Sequence, residues 1–79
     1  MDYRERLVID REVRPEINSG KPCVRGTRIS VGDVLGFLAS GMSASEVVDE
    51  YPSLALADVL ACLAYAADRE SRTVTLPAA

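Results

Sequence analysis

The residues best suited to chemistry sit near the front of the chain, where Lys21, Arg25 and Arg28 fall within eight residues, with no acid between them and with Gly20, Gly26 and Thr27 around them. Cationic groups at that density make an anion site. Glycines let the backbone come close to a ligand, and charge-assisted hydrogen bonds then hold it. Lys21, Arg25, Thr27 and Arg28 are therefore the candidate contacts to a DNA phosphate or to acidic side chains of a partner protein. The residues alone do not separate these two anions, whereas salt dependence does. The plainer reading of the same stretch is a turn in which glycines relax the backbone and the basic side chains are merely solvated.

Catalysis finds less to work with. The chain has no histidine, and its two cysteines, Cys23 and Cys62, are far apart and form no CxxC pair, which argues against both a zinc site and a disulfide framework. Cys23 beside Arg25 is a candidate nucleophile of lowered pKa, but it has no base to pair with, and the commoner fate of such a cysteine is packing. Asp49 and Glu50 are adjacent, so they cannot share one helix face as a carboxylate pair. No catalytic residue, metal or cofactor is expected, and the chain reads as a binding module rather than an enzyme.

The net charge of −3 weighs against a dedicated nucleic-acid binder, yet its distribution is uneven. Met1 to Ser30 carries seven basic and five acidic residues, whereas Val31 to Ala79 carries two and seven, so any anion meets the first segment first. A domain of 79 residues buries only about 60% of the surface its unfolded chain exposes, and without disulfide or metal it is expected to self-associate, as a homodimer or higher. No basic start leads into an apolar run, and no apolar stretch approaches the roughly 20 residues that span a bilayer. A soluble, cytoplasmic chain is expected.

The elements that position these residues follow from local pattern. Leu7-Val8-Ile9 between charged flanks predicts a short strand or extended arm, paired with Arg28-Ile29-Ser30 or with the same segment of a second copy, in a small sheet at a dimer seam. Ser30, with Asp33 three residues on, starts a helix over Val31–Ser40, with Val31, Val34, Leu35 and Leu38 on one face and Gly41 as the stop. Gly32 and Gly36 weaken this helix and imply that it depends on close packing.

Ser43-Ala44-Ser45-Glu46 is a capping box, with Met42 and Val47 as its hydrophobic staple, and opens a second helix over Ala44–Glu50 that Pro52 ends. A third helix runs over Leu56–Ser71, with Leu56, Val59, Leu60, Leu63 and Ala67 as its inward stripe. Segments 1–30, 31–72 and 73–79 are then a strand with a basic loop, a three-helix core and a tail, in one mainly α domain. The spacing of the last two helices matches a helix-turn-helix unit, but Ala55, Ala57, Asp58, Ala61 and Cys62 offer few donors to base edges.

The stretch Gly20-Lys21-Pro22-Cys23-Val24-Arg25-Gly26-Thr27-Arg28-Ile29, with Gly41-Met42-Ser43 and Tyr51-Pro52-Ser53-Leu54 after it, resembles domain-of-unknown-function family 433 from about Leu7 to Asp68. The resemblance implies a homeodomain-like three-helix bundle with an N-terminal extended segment. It also implies a VapB-type antitoxin that pairs with a PIN-like ribonuclease toxin; operator DNA is a further candidate partner, through the basic segment of a dimer. A threonine cap is expected before the third helix in such proteins, where this chain has Ala55, leaving Ser53 as the substitute. For toxin contact, the extended tail with Arg72, Val74 and Leu76 is the candidate, since such a segment can add to a sheet edge. The competing expectation is a protein-interaction module without DNA binding, docked through Lys21, Arg25 and Arg28.

Overall fold

A computed structural model describes residues 2–9, 12–13, 15–16 and 20–73, the side chains of Arg72 and Thr73 excepted. A single 3-10 turn, Tyr3–Glu5, opens the chain, and the Asp2 carboxylate caps it by accepting from the Arg4 amide at 3.0 Å. Strand β1, Leu7–Val8, then pairs antiparallel with β2, Cys23–Val24, in the register Leu7 to Val24 and Val8 to Cys23. Helices α1, Val31–Ala39, α2, Ala44–Glu50, and α3, Leu56–Thr73, complete a mainly α domain.

The strand finds its partner inside the chain, at Cys23–Val24, and not at Arg28–Ser30. The reason lies in the loop that follows β2. It folds back on itself: the Val24 amide donates to Ile29 O at 2.9 Å and the Val31 amide to Pro22 O at 3.0 Å, so Ser30 makes a lone bridge to the far side of Cys23. β2 lies in the middle and satisfies both neighbours. The Arg25 amide extends the ladder with β1 by donating to Arg6 O at 2.8 Å.

Both predicted serine caps are present. The Ser30 hydroxyl accepts from the Asp33 amide at 2.9 Å and Asp33 returns the bond to the Ser30 amide, a full capping box. Ser43 and Glu46 do the same for α2, and hydrogen bonding with the Ser43 amide first and its side chain second holds the Glu46 carboxyl below its ordinary pKa. Gly41, at φ +106°, ends α1 in the left-handed region that a Cβ would disfavour. The interior glycines of α1 do not mark close packing: a Cβ on Gly36 would meet nothing within 4 Å, and one on Gly32 would meet only the Ser30 hydroxyl at 3.7 Å.

Helix α3 extends to Thr73, two residues past the expected end. Its start is held by Asp58, whose carboxylate accepts from the Ala55 amide at 2.8 Å, which is the acid's half of a capping box. Ala55 has no side-chain oxygen to return the bond, and the role expected of Ser53 is filled from the third helical residue instead.

The inward stripe of α3 differs from the expected one. Asp58, Val59, Ala61 and Cys62 are buried, while Leu56, Leu60 and Leu63 are 52%, 47% and 43% exposed. Nearly every face of this helix is apolar, so periodicity cannot choose among them. The smaller side chains face inward, where α1 and α2 pack against them, and Asp58 must also face inward to reach Arg6 at 3.1 Å. The core is formed by Leu7, Ile9, Val24, Val31, Val34, Val47, Leu54, Val59, Ala61 and Cys62, so strand, loop and all three helices share one interior. Tyr3 meets Tyr65 edge to face, with ring centroids 5.5 Å apart, and its hydroxyl donates to Asp68, which binds the first turn to the far end of α3.

Candidate functional site

Strand β2 is flanked by the four predicted cationic and polar residues, Lys21 before it and Arg25, Thr27 and Arg28 in the loop after it, and the fold gives them two different tasks. Arg25 turns back toward the chain: its Nη2 donates to Leu7 O at 2.9 Å, to Arg4 O at 3.2 Å and to Glu12 Oε1 at 3.0 Å. Hydrogen bonding to Glu12 raises the pKa of this guanidinium, and the same bond holds the Glu12 carboxyl below its ordinary value. Arg25 is thus a clamp between the loop and the first segment. Thr27 is committed as well, its hydroxyl donating to Val24 O at 2.9 Å and accepting from the Ile29 amide at 3.0 Å, with Gly26 at φ +82° making the turn between.

Lys21 and Arg28 are exposed and make no hydrogen bond or ion pair with a described residue. Both line a cleft of about 360 Å³ whose other walls are Val8, Val13, Glu12, Gly26, Thr27 and Cys23. The geometry of β1 explains the apolar wall. Alternation along the strand sends Leu7 into the core and leaves Val8 half-buried on the opposite face, beside the loop. Two cations beside Val8 and Val13 can hold an anionic group, the Glu12 carboxylate of the same cleft being taken by Arg25. Val8, read from sequence only as part of a strand, and Glu12 and Val13 were not among the site residues; the strand register puts Val8 opposite Cys23, and the bond to Arg25 places Glu12.

Cys23 lies in the cleft wall but is buried, and Cys62 is buried in α3, where burial first and the Asp58 charge second push its thiol up to about 11. A thiol so raised is protonated and unreactive near neutral pH. Among the described residues, no group of three or more His, Cys, Asp or Glu is placed to hold a metal ion, and no helix is long and apolar enough to cross a membrane. Asp49 and Glu50 are both exposed at the end of α2. Of the predicted tail contacts, Arg72 falls within α3 although its side chain is outside the described residues, and Val74 and Leu76 lie outside them altogether.

Helices α2 and α3 are joined by a turn over Tyr51–Ala55, closed by the Leu54 amide donating to Tyr51 O at 2.9 Å. The outward face of α3 then presents Leu56, Leu60, Leu63 and Ala67, and no Arg, Lys, Asn or Gln occurs between Leu56 and Asp68. A groove-reading helix carries such donors in its first turns.

The sequence profile of the family described as "Protein of unknown function (DUF433)" matches residues 12–66. The chain belongs to this family. The matched span runs from Glu12 of the cleft through the β2 loop and α1 and α2 to Ala66 in α3, so it contains Lys21, Arg25, Thr27 and Arg28. Among curated proteins, the chain is similar to "Uncharacterized protein y4eO" of Sinorhizobium fredii, 45% identical over 40 residues. That match covers 51% of this chain and 18% of the relative, so the DUF433 chain spans less than a fifth of the longer protein. No solved structure matches.

Proposed function

We propose that this DUF433 domain is a non-enzymatic regulatory module of the antitoxin type, and that it neutralises a PIN-like ribonuclease by protein contact through the Lys21–Arg28 cleft. The observation that carries this reading is the division of labour in the loop. Arg25, through its Nη2, and Thr27 hold the loop in shape, while Lys21 and Arg28 remain available beside the apolar wall of Val8 and Val13. A nuclease that works through an acidic metal-binding cluster presents the charge that such a cleft attracts, and electrostatic complementarity sets partner choice and encounter rate.

A homeodomain-like arrangement of the three helices serves in this reading as a scaffold for the loop. Operator binding is the second reading, favoured by the excess of basic residues before Ser30 and by the helix-turn-helix spacing of α2 and α3. The donor-poor face of α3 ranks it below protein contact. Specificity for DNA would then have to come from the loop alone.

Rescue of growth from a co-expressed PIN-like nuclease tests the proposal. The double variant Lys21→Ala/Arg28→Ala is expected to fold normally and to lose rescue. A chain ending at Thr73 separates the cleft from the tail: retained rescue assigns neutralisation to the cleft, and lost rescue assigns it to Val74–Leu76. Full rescue by the double variant would sink the proposal.

A further inference from the structure

We propose that the groove between α1 and the C-terminal half of α3 binds a small organic phosphate, with Lys21 and Arg69 holding the phosphate dianion and an apolar wall taking the organic part. The inference does not depend on the antitoxin reading. The groove has a volume of about 580 Å³, and Lys21 and Arg69 line it together with Pro22, Leu35 and Tyr65. It is a separate hollow from the Lys21–Arg28 cleft, with which it shares Lys21 alone.

The two cations reach the groove from different elements, and each is held there. Lys21 precedes Pro22, whose carbonyl accepts from the Val31 amide at 3.0 Å, so the backbone beside Lys21 is pinned to the start of α1. Arg69 lies one turn beyond Tyr65, with its guanidinium carbon 5.5 Å from the centre of that ring, and Tyr65 is itself fixed by the edge-to-face contact with Tyr3. A ring contact supplies no acceptor, so the fork of N–H donors on Arg69 stays open to a ligand.

The acids nearby are committed elsewhere. Arg6 is paired with Asp58 and Arg25 with Glu12, whereas Lys21 and Arg69 make no hydrogen bond or ion pair with a described residue. Asp33 stands in the groove wall, but its carboxylate accepts from the Ser30 amide at 3.1 Å. Asp68 accepts from the Tyr3 hydroxyl, and Glu70 has a partner of its own.

A phosphate monoester fits this arrangement better than a carboxylate. It carries nearly two charges for two cations, and its three terminal oxygens diverge toward donors on separate sides, where a carboxylate offers one charge and two coplanar oxygens. The half-buried Pro22, Leu35 and Tyr65 give an organic substituent a surface to cover. The volume is that of a small-molecule site, typically about 300–1,000 Å³.

Titration of the full chain with phenyl phosphate near neutral pH and at constant ionic strength, followed by amide NMR, is expected to shift Gly32, Asp33 and Arg69 with a dissociation constant of roughly a millimolar or less. Benzoate keeps the ring and changes the head group, inorganic phosphate keeps only the head group, and each is expected to bind at least about tenfold more weakly. Arg69→Ala weakens phenyl phosphate by at least about tenfold, whereas Arg28→Ala, which alters only the other cleft, leaves it unchanged. Gly32→Glu abolishes binding by placing a carboxylate in the groove, at an exposed position where a Cβ meets only the Ser30 hydroxyl at 3.7 Å and where an acid suits the first turn of a helix. Far-UV circular dichroism stays helical in all three variants because the substituted positions are exposed. Shifts confined to Gly26 and Thr27, binding that survives Arg69→Ala or Gly32→Glu, benzoate or inorganic phosphate binding as tightly as phenyl phosphate, or no shift even at high millimolar concentration would each overturn the proposal.

Discussion

Replacing Asp58 by alanine separates its two jobs from its bulk. The carboxylate is 12% exposed and bonds the Ala55 amide at 2.8 Å with one oxygen and Arg6 at 3.1 Å with the other. Losing a helix-start acceptor costs about 1 kcal/mol. The ion pair adds only about 0.5 kcal/mol, because the Arg6 side chain is 44% exposed and solvent screens it. Asp58→Ala is therefore expected to lose about 1.5 kcal/mol, which in a domain of this size lowers Tm by roughly 6–12 °C. Asp58→Asn keeps an acceptor for the Ala55 amide and loses the pair, so its cost is about 0.5 kcal/mol, similar to that of Arg6→Ala. Thermal and urea unfolding followed at 222 nm give these differences, at one protein concentration so that association contributes equally. An Asp58→Asn protein as damaged as Asp58→Ala, or an Asp58→Ala protein indistinguishable from the parent, would refute the assignment of Asp58 as the cap of α3.

Three other outcomes follow from the same structure. Gly36→Ala stabilises the domain by about 0.5–1 kcal/mol, because the site is open and helical, while Gly26→Ala and Gly41→Ala destabilise it through their positive φ; urea midpoints rank the three. The Cys62 thiol, raised to about 11 from an ordinary 9.0, contributes stability that is complete below pH 9 and is lost as pH rises toward 11, since only the unfolded chain ionises in that window. Unfolding series across that range in the parent and in Cys62→Ala check this, and an equal loss in both contradicts it. Val59→Ala removes a fully buried side chain and lowers stability by about 2 kcal/mol, whereas Leu60→Ala at low protein concentration changes it little; equal losses would contradict the facing of α3 described above.

The starts of α1 and α2 and the end of α2 were legible because their signals are local. Ser30 with Asp33 and Ser43 with Glu46 bond across three residues, and Pro52 acts on its own neighbour, so nothing distant is needed to read them. Strand pairing is another matter. Cys23–Val24 and Ile29–Ser30 flank one turn and are equally plausible mates for Leu7–Val8 until the loop closes on itself and puts β2 in the middle. The inward face of α3 was hidden for a different reason. A helix apolar on most sides lets the largest residues suggest the core, while packing distance and the reach of Asp58 to Arg6 decide it. In the site, Lys21, Arg25 and Arg28 look alike along the chain. Arg25 differs because its acceptors are the main-chain carbonyls of Arg4 and Leu7, which no side-chain pattern displays, and the Glu12 carboxylate thirteen residues away.

Protein contact through the cleft is tested most directly by titrating the labelled domain with a PIN-like nuclease and, separately, with its own upstream DNA, each over a range of salt. The parent protein is compared with Lys21→Ala/Arg28→Ala, in which Arg25 is retained so that the loop keeps its clamp. The account predicts that the nuclease binds the parent, that the double variant binds it at least about tenfold more weakly, and that the free domain shows no sequence preference on DNA. Nuclease binding unchanged in the double variant, with sequence-specific DNA binding abolished in it, would contradict the account and make the cleft a DNA site.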